Sequence, residues 1–390
     1  MVIKLRKIGF NLSIIFLIFL IVLAGCHKKE APNNETSDEP EFNSLAQEID
    51  YLANQYVRVG AVIGVINKQQ EKLIFSYGTK SIDTTEPPDS DTVFDIGSIT
   101  KTFTATLLSD IVLRGVIYLS NTVGNYLPAD QVSMPTSGGV EITFEHLATH
   151  MSGIPRTPHQ EGSTYPLPEG YNSLNPYAAY TTEHIYDYLT NYCTLEFTPG
   201  TNWGYSNTGM GLLGHTLGLI DGTSYENILT RDIFNVLAMQ NSSLFLTEQQ
   251  ISNQALGHDR YRNIVPFYTA NDIFQGCGMI KSTLNDMFKY LEANMGLIET
   301  PLKDAMERAH QRTPGIWTGS LGYIGLAWYI LELDDGQEVT YSGGDTNGHS
   351  AYIGFNKSES TGAIVLLNCS MHDGTNLNLG AAIMKAINKY

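Results

Sequence analysis

The 390-residue sequence predicts an α+β fold: one antiparallel sheet assembled from both chain ends, flanked by helices, with an all-helical lobe beside it. Strand-like runs near the start recur only near the end, the long middle is spaced like helices, and a final helical run follows the last strand. The opening helix is expected over 42–57, where Phe42, Leu45, Ile49, Leu52, Ala53 and Tyr56 recur at helical spacing. A strand pair over 61–67 and 73–77 comes next. A short strand-like run, Val93-Phe94-Asp95-Ile96-Gly97, then meets an amphipathic helix carrying Phe103, Leu107, Leu108, Ile111 and Val112. From 98 to about 291 the pattern is mostly helical, interrupted by loops rich in Pro, Gly and Asn, including a polar stretch over 155–175. Four late strands are expected over 323–333, 338–342, 350–355 and 363–367, and a last helix over 377–387. There is no internal repeat.

Composition narrows the function classes. With 42% hydrophobic and 16% charged residues the chain is not disordered throughout, and 40 acidic against 23 basic residues give a net charge of −17. Such a surface repels phosphate backbones, so no nucleic-acid partner is expected. Cys193, Cys277 and Cys369 are scattered and odd in number, without a disulfide framework or paired zinc-ligand spacing. The N-terminus reads as an export signal over 1–25: Lys4, Arg6 and Lys7 precede an apolar run over 14–23, too short to serve comfortably as a permanent span. Leu23-Ala24-Gly25-Cys26 resembles a bacterial lipobox, which implies lipidation of Cys26 and a membrane partner through that anchor. Residues 26–44, rich in Glu, Asp, Asn and Pro, read as a disordered tether, and 45–390 as the catalytic body.

Three segments of the body carry chemistry. In Ser98-Ile99-Thr100-Lys101 a serine stands at a helix start with a lysine three residues on, on the same face, within reach of its hydroxyl. A helix cap with a solvated lysine is the plainer alternative. Tyr205-Ser206-Asn207 precedes a glycine-rich helical run; its phenol can serve as general base and then general acid, and the Asn207 amide can orient Lys101 and a substrate carbonyl. Here too an ordinary cap by Ser206 or Asn207 is the competing account. Ser342-Gly343-Gly344-Asp345 ends a late strand, where small residues let a substrate backbone pair and the Asp345 N–H can join that of Ser98 as an oxyanion hole. Asn347 and His349, just beyond, are further candidates for lining the substrate cleft, with a structural histidine as the plainer account of His349.

The order and settings of these segments resemble the three motifs of class C β-lactamases and the related DD-peptidases and esterases. Phe94 to Thr104, Arg114-Gly115 with Leu119-Ser120, His146 to Pro155, Pro199-Gly200-Thr201 and Thr346-Asn347-Gly348 all fall where that family has similar phrases, over about 45–390. The resemblance implies a serine hydrolase that forms an acyl-enzyme on an amide or ester carbonyl, with Ser98, Lys101, Tyr205 and Asn207 catalytic, no cofactor and no metal. D-amino-acid peptides, small esters and β-lactams are the substrate classes it admits. Ser342-Gly343-Gly344 departs from the family's Lys-Thr-Gly or His-x-Gly and lacks its cation. Alternatives are an efficient class C-type β-lactamase or a penicillin-binding sensor without turnover. A zinc hydrolase using His146 and His150 lacks the glutamate expected after the first histidine, where Leu147 stands.

Overall fold

Residues 40–333 and 337–390 are described by a computed structural model. The export signal, Cys26 and the tether as far as residue 39 lie outside the described residues. Ser44 caps the first helix, its side chain accepting from the Gln47 amide, and α1 (Leu45–Tyr56) turns Leu45, Ile49 and Ala53 inward. β1 (Gly60–Ile66) is buried along its whole length, whereas β2 (Lys72–Gly78) alternates between exposed and half-buried, as a central and an edge strand should.

The late strands are β7 (Tyr323–Ile324), β8 (Tyr329–Glu332), β9 (Glu338–Asp345), β10 (Ser350–Asn356) and β11 (Thr361–Leu367). With β1 and β2 they form a seven-stranded sheet in the order β2-β1-β11-β10-β9-β8-β7. The two chain ends meet at the antiparallel pairing of β1 with β11, where Ile63 faces Val365. Alternation divides the sheet's side chains between two cores. Ala61, Ile63, Val65, Val365 and Leu367 pack with α1 and α11 (Thr375–Lys389), while Val62, Ile66, Ile364 and Leu366 join the larger core.

That larger core is bounded by α2 (Thr100–Leu113) and the helices that follow. These are α3 (Phe144–Ala148), α4 (Thr182–Asp187), α5 (Asn207–Asp221), α6 (Tyr225–Leu229), α7 (Glu248–Ser252), α8 (Asp272–Gly278), α9 (Leu284–Met295) and α10 (Lys303–Ala309). No helix among the described residues is long and apolar enough to cross a membrane.

Three local expectations need correction. The 323–333 run is not one strand: β7 and β8 form a hairpin, with Ala327 in the left-handed region (φ 59°) and Trp328 fully buried. Its apolar residues fill the core from the turn, a burial that strand periodicity cannot tell from a sheet face. The 93–97 run contributes only β3 (Phe94–Asp95), which pairs with β6 (Lys281–Ser282) outside the main sheet; another small pair, β4 (Gly257–His258) with β5 (Ile264–Val265), also lies in the middle of the chain. Finally, α2 is not amphipathic over its first turns: Thr100, Thr102, Thr104 and Thr106 are all buried. Their hydroxyls are satisfied internally, Thr102 donating to the Ile99 carbonyl and Thr106 to that of Thr102.

Candidate active site

The helix start predicted for the serine is a short 3-10 turn, Gly97–Ile99, running directly into α2. Gly97 has φ +51°, and a Cβ there would stand 2.8 Å from the Asp345 nitrogen, so both backbone conformation and close approach require glycine. Ser98 is half-buried at the lip of the cleft. One turn on, Lys101 is 2% exposed, and its ammonium donates to Ser98 Oγ at 2.9 Å and to the Cys277 carbonyl at 2.5 Å. That carbonyl comes from the end of α8, which lies close against α5 because Gly214 and Gly276 meet without side chains: a Cβ on either would stand 3.0 Å from the other's Cα. The glycine-rich helix after the tyrosine motif thus serves packing that brings a lysine acceptor into place.

Tyr205 approaches the same oxygen from the helical lobe, its phenol donating to Ser98 Oγ at 2.7 Å. The residue after it is a true cap: Ser206 Oγ accepts from the Gly209 amide at the start of α5 and donates to the Pro155 carbonyl. Capping and chemistry therefore coexist in this segment, because the cap fixes the backbone from which Tyr205 projects. His150 lies against the phenol ring at a centroid separation of 4.4 Å, and its Nδ1 accepts from the Ser206 amide. Burial, aided by the charges of Lys101 and Arg156, holds the His150 pKa well below its usual range, so the ring is neutral and free to accept there.

On the sheet side, a Cβ on Gly344 would lie 1.9 Å from the Ile96 carbonyl and 2.9 Å from the Ser98 nitrogen, so β9 can reach the nucleophile turn only as glycine. The Thr346 amide bonds the His349 carbonyl, closing the β9–β10 hairpin. Pairing alternates from there, so Asp345, opposite Ser350, has its N–H turned away from β10. With Gly97 packed on the Asp345 backbone and Gly344 on the Ser98 amide, the two segments meet backbone to backbone. β8 pairs with β9 only from Glu338 to Tyr341, leaving the edge at Ser342, Gly343, Gly344 and Asp345 without a neighbouring strand among the described residues. Ser342 shares the Gly344 face of β9 and is 3% exposed.

Other expectations fare differently. The Asn207 amide donates to the Tyr177 phenol at 2.7 Å, and its buried Oδ1 has no hydrogen-bond partner, so it does not orient Lys101; the Cys277 carbonyl does. Asn347 donates to the Ser173 carbonyl, tying the 155–175 loop to the hairpin turn. His349 does not line the cleft. It is fully buried behind β3, with Nε2 against the Ala255 carbonyl, and burial pushes its pKa down to about 3. The hairpin turn carries it away from the substrate edge and under Phe267 and Phe94.

The zinc reading loses its geometry. α3 ends at Ala148, His150 has φ 60°, and His146 Nδ1 accepts from the Thr143 amide in a helix cap. Among the described residues no group of three or more His, Cys, Asp or Glu could hold a metal ion.

Two contributors escaped sequence reasoning. The Cys277 carbonyl is a backbone atom and leaves no side-chain signal. Arg156 directly follows Pro155 in the His146–Pro155 phrase, and its guanidinium lies 4.7 Å above the Tyr205 ring centre, while Lys101 Nζ lies 4.8 Å from it.

β9 also carries a perturbed acid. Asp345 is pushed up to about 7 chiefly by burial, with nearby Asp373 adding to the rise and the Ser350 hydroxyl opposing it. The folded protein therefore holds a proton there that the unfolded chain releases near the ordinary value of 3.8, and this contribution to stability is lost as pH rises toward 7. Asp345→Asn should raise the melting temperature at pH 8 by several degrees and leave it nearly unchanged at pH 4. Asp95, raised to about 6 by burial, has the same sign, so the pH slope should shrink without vanishing. Identical slopes in parent and variant, followed by thermal unfolding, would contradict this assignment.

Comparison with known proteins bears on the family and the fold. The family model described as "Beta-lactamase" matches residues 45–383. A β-lactamase of Pseudomonas fluorescens is 24% identical over 384 residues, spanning 87% of this chain and 97% of the relative. The D-alanyl-D-alanine-carboxypeptidase/endopeptidase AmpH of Escherichia coli is 24% identical over 386 residues, spanning 92% and 94%. Among solved structures, a class C β-lactamase superposes with a TM-score of 0.73 at 22% identity, covering 87% of this chain and 96% of its own. The D-alanine carboxypeptidase AmpC of Burkholderia cenocepacia does so at 0.71 and 22%, covering 88% and 97%. The structural likenesses establish the fold.

Proposed function

The chain belongs to the β-lactamase family and is a hydrolase of the serine acyl-enzyme type, and from that premise we propose that it cleaves D-amino-acid peptides at a terminal amide through Ser98. The observation that carries the reading is the convergence of the Lys101 ammonium and the Tyr205 phenol on Ser98 Oγ, at 2.9 and 2.7 Å. The Tyr205 phenol, which donates to Ser98 Oγ, first gives up its proton to solvent; Ser98 Oγ then attacks the substrate carbonyl and passes its own proton to the phenolate oxygen. The phenolate's negative charge is balanced by Lys101, whose Nζ lies 4.8 Å from the ring centre. The oxyanion of the tetrahedral adduct is held by the amides of Ser98 and Asp345, dipoles already fixed by the contact of Gly97 and Gly344 with the facing backbones. As the adduct collapses, the C–N bond breaks and Tyr205 returns the proton to the leaving amine. Water then attacks the acyl-enzyme, its proton goes to Tyr205, and the C–O bond to Ser98 breaks as Oγ is reprotonated. Lys101 holds the Ser98 oxygen throughout, steered by the Cys277 carbonyl.

The open edge of β9 favours a peptide over a compact ester, because an extended backbone can pair with Gly343 and Asp345 as an added strand. The carboxypeptidase names among the relatives point the same way. Incubation with a peptide ending in D-alanyl-D-alanine should release D-alanine, while the peptide ending in L-alanyl-L-alanine should survive. Equal cleavage of the two, or cleavage of neither while simple esters are hydrolysed, would replace the peptidase with an esterase.

Site and address belong together in this reading: a lipid on Cys26 tethers the hydrolase in the bacterial cell envelope, facing the periplasm or the exterior, where D-amino-acid peptides occur. The lipobox-like Leu23-Ala24-Gly25-Cys26 supports it. Cys26→Ser should leave an unlipidated precursor of higher mass, visible in the intact mass and by loss of fatty-acid labelling. Continued acylation of the variant would remove the anchor from the account.

A further inference from the structure

Two cations lie on the Tyr205 ring, and they differ in commitment. Lys101 is buried and held by Ser98 and the Cys277 carbonyl. Arg156 is exposed, and its guanidinium has no hydrogen bond or salt bridge among the described residues. The chain carries 40 acidic and 23 basic residues; Arg114, Arg231 and Arg312 are ion-paired, Arg58, Arg260, Arg262 and Arg308 have no salt bridge among the described residues, and of the unpaired arginines only Arg156 lies over the Tyr205 ring. An unpaired guanidinium over the ring that touches the nucleophile is therefore a feature to explain.

Its backbone is anchored on both sides. The Arg156 amide donates to Gln160 Oε1, and its carbonyl accepts from the amides of Asn207 and Thr208 at the start of α5. The side chain thus projects from a fixed point, and replacing it leaves those backbone bonds intact. The nearby acid gives it no hydrogen bond: the Asp345 carboxyl feels the Arg156 charge but is engaged by the Ser350 hydroxyl, and burial favours its neutral form. An anionic ligand group in the cleft would therefore meet an unneutralised guanidinium. A planar fork of donors suits a carboxylate in particular.

We propose that Arg156 binds the carboxylate of the substrate, making the enzyme selective for free-acid substrates from the Pro155–Arg156 loop of the helical lobe. This deepens the peptidase reading and rests on it: a peptide cleaved by a carboxypeptidase ends in a carboxylate, and Arg156 is the group that recognises that end. Ser342, the β9 residue facing the nucleophile layer, offers no charge for the task.

The test compares matched substrates on the full-length enzyme. A peptide ending in D-alanyl-D-alanine is set against its C-terminal amide, and an aryl ester bearing a leaving-group carboxylate against its uncharged carboxamide. For the parent, kcat/KM should favour the free acid in each pair. Arg156→Gln should lower kcat/KM for the free acids by about 10- to 100-fold, mainly through KM, and change the uncharged partners by less than about threefold. Arg156→Lys should restore most of the loss, which a purely structural role would not predict. Equal losses on charged and uncharged substrates would overturn the proposal, because the arginine would then act through Tyr205. No preference for the acid in the parent would overturn it as well. If neither peptide is cleaved but the ester pair still shows the preference and its loss, Arg156 keeps its role and the peptidase reading fails.

Discussion

Ser98→Ala should abolish acyl-enzyme formation and reduce turnover to the level of solution hydrolysis, a loss of about 10⁴-fold or more, while the protein remains folded. The hydroxyl accepts bonds from Lys101 and Tyr205 and stands half-buried at the cleft, outside either hydrophobic core. Its removal leaves Lys101 bound to the Cys277 carbonyl. Melting temperature should therefore stay within a few degrees of the parent, and reaction with a fluorophosphonate should disappear. A variant that still labels would place the nucleophile elsewhere.

Tyr205→Phe should lower kcat by about 10²- to 10⁴-fold, the scale of losing a positioned proton-transfer group. This substitution separates chemistry from packing, since the ring that His150 and Arg156 contact is retained and only the oxygen bonded to Ser98 is lost. Acylation and deacylation should both slow, because the same oxygen handles the proton in each half-reaction. Single-turnover kinetics with an activated ester would resolve the two steps. A variant with parental acylation and deacylation rates would pass the role to Lys101 alone.

How much of this was legible in the sequence depended on the length scale of each contact. Ser98 and Lys101 are one helical turn apart, so their meeting follows from local geometry. Tyr205 and Ser98 are separated by 107 positions, and only resemblance to a family joined them before the structure did. β1 and β11 were readable because a strand buried on both faces is apolar throughout; the 323–333 run is equally apolar, yet Trp328 is spent on plugging the core from a turn. His349 was misplaced because proximity in the chain to Asp345 was taken for proximity in space, and the intervening hairpin turn reverses its direction. The expected contact of Asn207 with Lys101 failed because its motif position says nothing of Tyr177, which takes the amide instead. The approach of the Ser98 and Asp345 backbones was hidden for the same reason: only the missing side chains of Gly97 and Gly344 let these distant segments meet.

The central claim, a covalent acyl-enzyme on Ser98 that water releases, is tested most directly by rapid-quench intact-mass spectrometry with a D-alanyl ester, followed by peptide mapping. The account predicts a transient mass increase equal to the acyl group, located on the peptide containing Ser98, which decays at the rate of steady-state turnover and is absent from Ser98→Ala. An adduct mapped to any other residue, or full turnover with no adduct at any quench time and undiminished activity in Ser98→Ala, would contradict it.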